Sequence, residues 1–329
     1  MLIHLVQLLG GFILLVWGAD RLVAGASATA RNLGVSPLII GLTIVAFGTS
    51  APELIVSGVA ALEGKPGLAV GNAVGSNIAN IGLILGVTAL AYPLRVESQT
   101  LKREYPQLLL IMIVSFVMAI DLHFSRLEGF ILLGGLGLIV LWMVWLGMRR
   151  EPEDPLAQEF EAEIPTDMPT RVAIAWTLVG LIVLPLSSRF LVEGAIGIAE
   201  MLHVSETVIG LTIVALGTSL PELAASLTSA LRREDDLAIG NVIGSNMFNI
   251  LGVLGIAASI EPVTFERSIL VQDMPVMFLF TVLLFFMAYG MRGPGRISRG
   301  SGALLLLLFI GYYVLVWTTV ETGGAPPLP

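Results

Sequence analysis

The sequence predicts an all-α polytopic membrane protein, with ten transmembrane helices arranged as two inverted five-helix repeats. Three observations predict this. The 329 residues are 56% hydrophobic and only 13% charged, against about 25% charged for a soluble domain, and mean hydropathy is +0.90. The apolar residues gather into ten long runs, each near the roughly 20 residues that cross about 30 Å of hydrocarbon. Two motifs also occur twice, in the same order and at the same spacing. This composition excludes a soluble enzyme, a nucleic-acid binder and a disordered chain. A membrane barrel would need strict alternation over about ten residues, and runs such as Leu304–Ile310 are apolar on both parities.

Helices are expected over 4–27, 37–62, 67–92, 105–121, 127–148, 171–197, 206–231, 237–260, 270–290 and 302–320. The first run lacks a basic stretch followed by a small-residue cleavage site, so it reads as a span and not as a removed signal. Between the fifth and sixth runs lie Glu151, Glu153, Asp154, Glu159, Glu161, Glu163 and Asp167, punctuated by Pro152, Pro155, Pro165 and Pro169. Such a segment resists packing and reads as a solvated connector. It lacks the fixed ligand spacing around a glycine turn that a calcium loop needs. The expected organisation is therefore a first repeat over 1–148, an acidic linker over 149–170 and a second repeat over 171–329. The linker concentrates the net charge of −8. The absence of cysteine excludes disulfides and thiolate chemistry. His4, His123 and His203 fall near span ends and read as interfacial residues.

The repeat is specific. GLTIVAFGTSAPEL at 41–54 matches GLTIVALGTSLPEL at 210–223, and VGNAVGSNIANIG at 70–82 matches IGNVIGSNMFNIL at 239–251. The offset is 169 throughout (53 to 222, 72 to 241, 80 to 249). Five helices is an odd number, so the second copy inserts with the opposite orientation, as in the inverted repeats of secondary transporters. Thirteen of the 17 Lys and Arg, among them Arg95, Lys102, Arg149, Arg150, Arg232 and Arg233, fall on the linker side; Lys65, Arg126, Arg189 and Arg267 fall on the other. The positive-inside rule then places the linker in the cytoplasm and both termini outside the cell (plasma or inner) membrane.

Each half interrupts its apolar pattern at mid-span. The second helix carries Thr49, Ser50, Pro52 and Glu53, and the seventh carries Thr218, Ser219, Pro221 and Glu222. Thr49 and Glu53 share one helical face, as do Thr218 and Glu222. A carboxylate at that depth costs at least a few kcal/mol and marks a functional site facing the bundle interior. The alternative is a pair of structural carboxylates bonded to neighbouring helices. Pro52 and Pro221 cannot donate to the carbonyls of Gly48 and Gly217, so carbonyls over Ala46 to Thr49 and Ala215 to Thr218 become candidate ligands. The third and eighth helices add a stripe of Asn72, Ser76 and Asn80, repeated as Asn241, Ser245 and Asn249. Taken singly these residues read as interhelical glue between small-residue faces; duplicated beside a glutamate they read as oxygen ligands. Carboxylate, hydroxyl, amide and carbonyl oxygens suit hard cations.

At these residues the chain resembles the sodium/calcium exchanger family of the cation/Ca2+ antiporter superfamily, in its prokaryotic form. GTSAPEL and GTSLPEL, each followed by GNxxGSN, match that family's alpha repeats. The resemblance implies clustered cation sites between the second, third, seventh and eighth helices, with Ca2+ and Na+ as transported substrates and no cofactor. It implies that Glu53 and Glu222 are central carboxylates. It makes Thr49, Ser50, Thr218, Ser219, Ser76 and Ser245 motif ligands, and Ala46 and Ala215 carbonyl donors. Asn80 and Asn249 form the central pair, where family members often carry one Asp. With Asn at both positions the central charge is −2, and exchange is expected to need no K+. The implied function is Ca2+/Na+ antiport by alternating access, with no partner beyond the lipid bilayer and no nucleic acid. The competing readings are a proton/Ca2+ antiporter of the same superfamily, an intramembrane hydrolase and a passive channel. No His–Glu metal motif or Ser–His pair supports hydrolysis, and no carbonyl-ring filter motif supports a channel.

Overall fold

The computed structural model describes residues 2–35, 37–40, 43–44, 46–96, 99–148, 159, 164–165, 167–202, 204–289 and 295–321. His203, Arg149, Arg150, Arg292 and the linker acids other than Glu159 and Asp167 lie outside the described residues, as do the side chains of Lys102 and Arg103. Gly41, Leu42 and Val45 of the first motif also lie outside them.

The helices fall where the apolar runs place them. In chain order they are α1 (Leu2–Asn32), α2 (Pro37–Ile40), α3 (Ala46–Thr49), α4 (Ala51–Leu62), α5 (Pro66–Ala79), α6 (Gly86–Ala91), α7 (Gln99–Met118) and α8 (Arg126–Met148). The series continues with α9 (Thr170–Leu202), α10 (Glu206–Ile209), α11 (Ala215–Thr218), α12 (Leu220–Leu231), α13 (Asp235–Phe248), α14 (Leu254–Ile260), α15 (Met274–Tyr289) and α16 (Arg299–Glu321). Eight described helical stretches are long and apolar enough to cross a membrane. A ninth is the pair Glu206–Thr218 and Leu220–Leu231, bent by 41°. The tenth expected span, 37–62, is described only as the separate pieces α2, α3 and α4.

Burial sorts these spans. The windows over Pro66–Ala91 and Asp235–Ile260 are 83% buried, whereas that over Arg126–Trp145 is 17% buried. The two stretches bearing the Asn/Ser stripe are therefore central, and the rest surround them with exposed Leu, Ile, Val and Phe. In water such a surface would drive association; a lipid environment accounts for it.

Two local features were not expected from the sequence. The long central helices are not uniform. Each passes through a wide π turn, Asn80–Leu85 between α5 and α6 and Asn249–Val253 between α13 and α14, at the residues that end the Asn/Ser stripe. Short antiparallel strand pairs also join loops of the two halves. Leu94–Val96 (β1) pairs with Gly295–Ile297 (β4), and His123–Phe124 (β2) pairs with Val263–Thr264 (β3).

The loops gather at two ends. At the linker end Arg31 donates to the Ile164 carbonyl at 3.2 Å, and Asp235 Oδ2 accepts from the Arg95 amide at 3.0 Å. At the opposite end Lys65 meets Glu206 at 2.6 Å, and the β2–β3 pair joins the neighbouring loops. One linker side chain docks directly onto the bundle. The Glu159 carboxylate accepts from the Leu237 amide, in the first turn of α13, at 2.6 Å.

α1 and α9 run antiparallel along their lengths, His4 beside Gly194 and Ala173 beside Gly25. Only a missing side chain allows this: a Cβ at Gly25 would stand 2.5 Å from the Ala173 carbonyl oxygen. Gly75 of α5 is a second close approach: a Cβ there would overlap the Leu211 carbonyl, so the second half's broken helix is clamped on α5.

Two outcomes follow. Gly75→Ala overpacks a close backbone contact and is expected to cost about 1–3 kcal/mol, read as a lower Tm of the detergent-solubilised protein. The second concerns Glu159. Burial, with a smaller contribution from Asp236 and Asp235, lifts its carboxyl from 4.5 to about 8. A docked Glu159 thus keeps its proton over a range where a free one has lost it, so docking is strongest in acid, weakens between about 4.5 and 8, and is constant above. Limited proteolysis of the linker should accelerate across that range in the wild type and stay flat in Glu159→Gln.

Candidate functional site

The helix breaks position the candidate residues. α3 ends at Thr49 and α4 begins at Ala51, with Ser50 between them at φ −85°, ψ 2°; Ser219 occupies the same place between α11 and α12 at φ −83°, ψ 7°. Pro52 and Pro221 fall in the first turn of the new helix, where a missing N–H costs least. Glu53 and Glu222 follow one residue later and are fully buried (0% exposed). Each break therefore converts a transmembrane helix into two half-helices whose junction carries hydroxyls, a proline and an acid.

The two junctions are tied together by reciprocal contacts. Thr49 Oγ1 lies 3.1 Å from Asn241 Oδ1, and Thr218 Oγ1 lies 3.2 Å from Asn72 Oδ1. The Asn72 amide donates to Ser57 Oγ at 3.0 Å and to the Glu53 carbonyl at 3.5 Å. The Asn241 amide donates to Ser226 Oγ at 3.1 Å and to the Glu222 carbonyl at 3.3 Å. Both asparagines thus brace one half's glutamate helix and reach the other half's threonine. Asn72 also accepts from Ser76 at 3.3 Å, which fills its bonding capacity. The stripe's first member is a brace, and the residues beyond it carry the free oxygens.

The carboxylates are held by hydroxyls alone. Ser219 Oγ donates to Glu53 Oε1 at 3.2 Å and Ser245 Oγ donates to Glu222 Oε1 at 3.3 Å. Ser50 lies beside Glu222, and among the described residues no hydrogen bond reaches the second oxygens, Glu53 Oε2 and Glu222 Oε2. Among the described residues no salt bridge reaches either acid. Asn80 Nδ2 donates to Asn246 Oδ1 at 3.0 Å, leaving Asn80 Oδ1 unbonded, and both amide atoms of Asn249 are buried without a partner. The carbonyls at the breaks are partly engaged: Ala46 O lies 3.2 Å from the Thr49 hydroxyl, and Ala215 O accepts the Ser219 amide at 3.1 Å. Buried polar atoms are normally bonded, so a cluster of buried, unbonded oxygens around two uncompensated acids fits a hard cation. Among the described residues no group of three His, Cys, Asp or Glu assembles elsewhere as a metal site.

The expected ligands therefore converge, with exceptions in detail. Asn77 and Asn246, the last residue of each GSN, are buried with unbonded amide atoms, and Ser57 and Ser226 complete the braces; neither pair was singled out from the sequence. The available signal was the 169-residue repeat, which both pairs obey.

A cavity of about 360 Å³ is lined by Thr49, Asn241, Thr228, Ser229 and Leu237. It runs from the linker-end turns of α12 and α13 to the first junction. Of the residues related to these by the repeat, Thr218, Asn72, Ala60 and Leu68 are fully buried and Val59 is partly buried.

The sodium/calcium exchanger protein family model matches residues 3–145 and 172–318. The chain is 48% identical over 319 residues to the putative antiporter CaxA of Alkalimonas amylolytica, covering 97% of this chain and all of that one. It is 34% identical over 359 residues to the sodium/calcium exchanger MaX1 of Methanosarcina acetivorans, covering 96% and 99%. Among solved structures it is similar to the sodium-calcium exchanger NCX_Mj soaked with Na+ and Sr2+, at TM-score 0.67 and 35% identity over 95% of this chain and 98% of that one. These neighbours are transporters and not enzymes. With its paired glutamate junctions inside a multi-pass helical bundle, the chain belongs to the sodium/calcium exchanger family.

Proposed function

We propose that this antiporter exchanges Ca2+ for Na+ by alternating access. In this reading Glu53 and Glu222 are the charged ligands, and Thr49, Thr218, Ser50, Ser219, Ser76, Ser245, Asn80, Asn249 and the carbonyls of Ala46 and Ala215 complete the oxygen shell. The supporting observation is the pair of buried carboxylates with no cationic partner among the described residues. Their charge of −2 is neutralised by one Ca2+ or two Na+. Three Na+ leave one positive charge over, which makes exchange electrogenic. Competition for one set of oxygens couples the two ions.

In the mechanism proposed here the repeats 1–148 and 171–329 insert with opposite orientations across the linker 149–170, in a cell membrane with both termini outside. The reciprocal Thr–Asn contacts support that relation, because each half contributes the same residue to the other. The antiparallel pair α1–α9 is the element that slides. It carries no ligand, and α1 forms one wall of the cavity that reaches Thr49. Moving it across the junctions would close this path and open the related one. The unbonded Glu53 and Glu222 oxygens also suit proton carriage, so proton/Ca2+ antiport is the reading to be tested against.

Three measurements test this. Na+-loaded proteoliposomes diluted into Na+-free, K+-free buffer should accumulate Ca2+; uptake driven by a pH gradient and indifferent to Na+ would overturn the sodium reading. Glu53→Gln and Glu222→Gln each remove a charge worth on the order of 4 kcal/mol per unit of cation charge at contact distance. Each variant should therefore lower Ca2+ affinity at least about 100-fold by isothermal titration, and near-native affinity in a folded variant would sink the site. A cross-link that pins α1 and α9 to the central helices should block exchange and leave Ca2+ binding intact, and transport surviving complete cross-linking would overturn the sliding mechanism.

A further inference from the structure

The cavity leading to the site carries a single titratable group among its described lining residues, Asp20 of α1. An acid on a membrane helix facing an aqueous path is a functional residue by default, and nothing in the site uses this one. Its side chain is 64% exposed. The neighbouring Arg21 approaches Asp20 Oδ2 at 3.4 Å but is only 35% exposed. Its guanidinium sits over the Trp176 ring at 5.0 Å, on the α9 side, and does not line the cavity. Water in the cavity therefore faces the carboxylate more than the guanidinium.

The other half departs from this. The 169-residue offset relates Asp20 to Arg189 of α9. Arg189 Nε lies 3.1 Å from Glu193 and 3.7 Å from Glu63, so the related position carries a cation already bound by two acids. The repeat is close to symmetric at the site, but this related position carries an acid exposed to the cavity in one half and a paired cation in the other.

We propose that Asp20 is a cation-attracting residue of the linker-side path, drawing hard cations from that face toward Thr49 and Asn241, and that the opposite path has no equivalent. The proposal rests on the alternating-access reading, since it assigns Asp20 to one path only. A carboxylate in a low-dielectric mouth concentrates cations and raises their arrival rate in a salt-dependent way. It acts on the apparent affinity at one face and leaves the bound site unchanged.

The test uses membrane vesicles of both orientations, sorted by protease access to the linker, with the Ca2+ KM measured at each face. Asp20→Asn should raise the linker-face KM about three- to tenfold at low ionic strength. It should lose that effect in high concentrations of a non-transported salt, and leave the opposite-face KM and kcat unchanged. Thr228→Lys, on the facing wall with Asp20 intact, should raise the same KM with the same salt dependence. Thr228→Asp in the Asp20→Asn background should restore it. An equal change at both faces, or a linker-face KM unmoved by Asp20→Asn and by Thr228→Lys, overturns the proposal. Failure of the wild type to depend on Na+ would instead remove the coupling reading, and leaves the comparison of faces measurable with Ca2+ alone.

Discussion

Two carboxylates buried in a helical bundle, with no basic partner among the described residues, set the terms for everything around them. An ionised acid in low dielectric carries a penalty of several kcal/mol that hydroxyl donors only partly offset. Glu53 and Glu222 each receive one serine hydrogen bond and keep one oxygen free. That arrangement is poor as a structural ion pair and good as a cation site. It also explains the surrounding architecture. The helix breaks aim the acids inward, the central helices wrap them at 83% burial, and the asparagine braces fix their backbones.

The site belongs to neither half alone. Thr49 needs Asn241, Thr218 needs Asn72, and Ser219 of one half serves Glu53 of the other. The strand pairs repeat this exchange at both ends of the bundle. Against that shared frame, departures from symmetry carry meaning. Thr49 is reached by a cavity, while Thr218 is fully buried.

Much of this was legible in the sequence because membrane insertion is a severe filter. Hydropathy alone places the helices to within a few residues, and a mid-span glutamate has few explanations other than function. Duplication at a constant offset separates the ligand stripe from ordinary helix glue. Four things were not legible. The π turns at Asn80–Leu85 and Asn249–Val253 depend on how tertiary contacts share backbone bonds, which leaves no composition signal. Strands of two or three residues such as His123–Phe124 are too short for periodicity to register. Asn72 reads as a ligand until its partners are known, and then proves to be bonded to capacity. Asn77 and Asn246 sit off the spaced stripe, so helical spacing passes over them.

The π turns bear on chain length more than on residue identity. Each holds an extra residue inside a long helix, and adding or removing one residue rotates everything beyond it by about 100°. Between the threonine junction and the first strand the offset between halves stays at 169, from Thr49 and Thr218 to Leu94 and Val263. Farther along it is 173, from Arg126 to Arg299 at the starts of α8 and α16. The added length falls beyond the strands, and none falls in the stretch from the threonine junction to the strands, where a one-residue slip would turn the Asn/Ser face away from the paired glutamates.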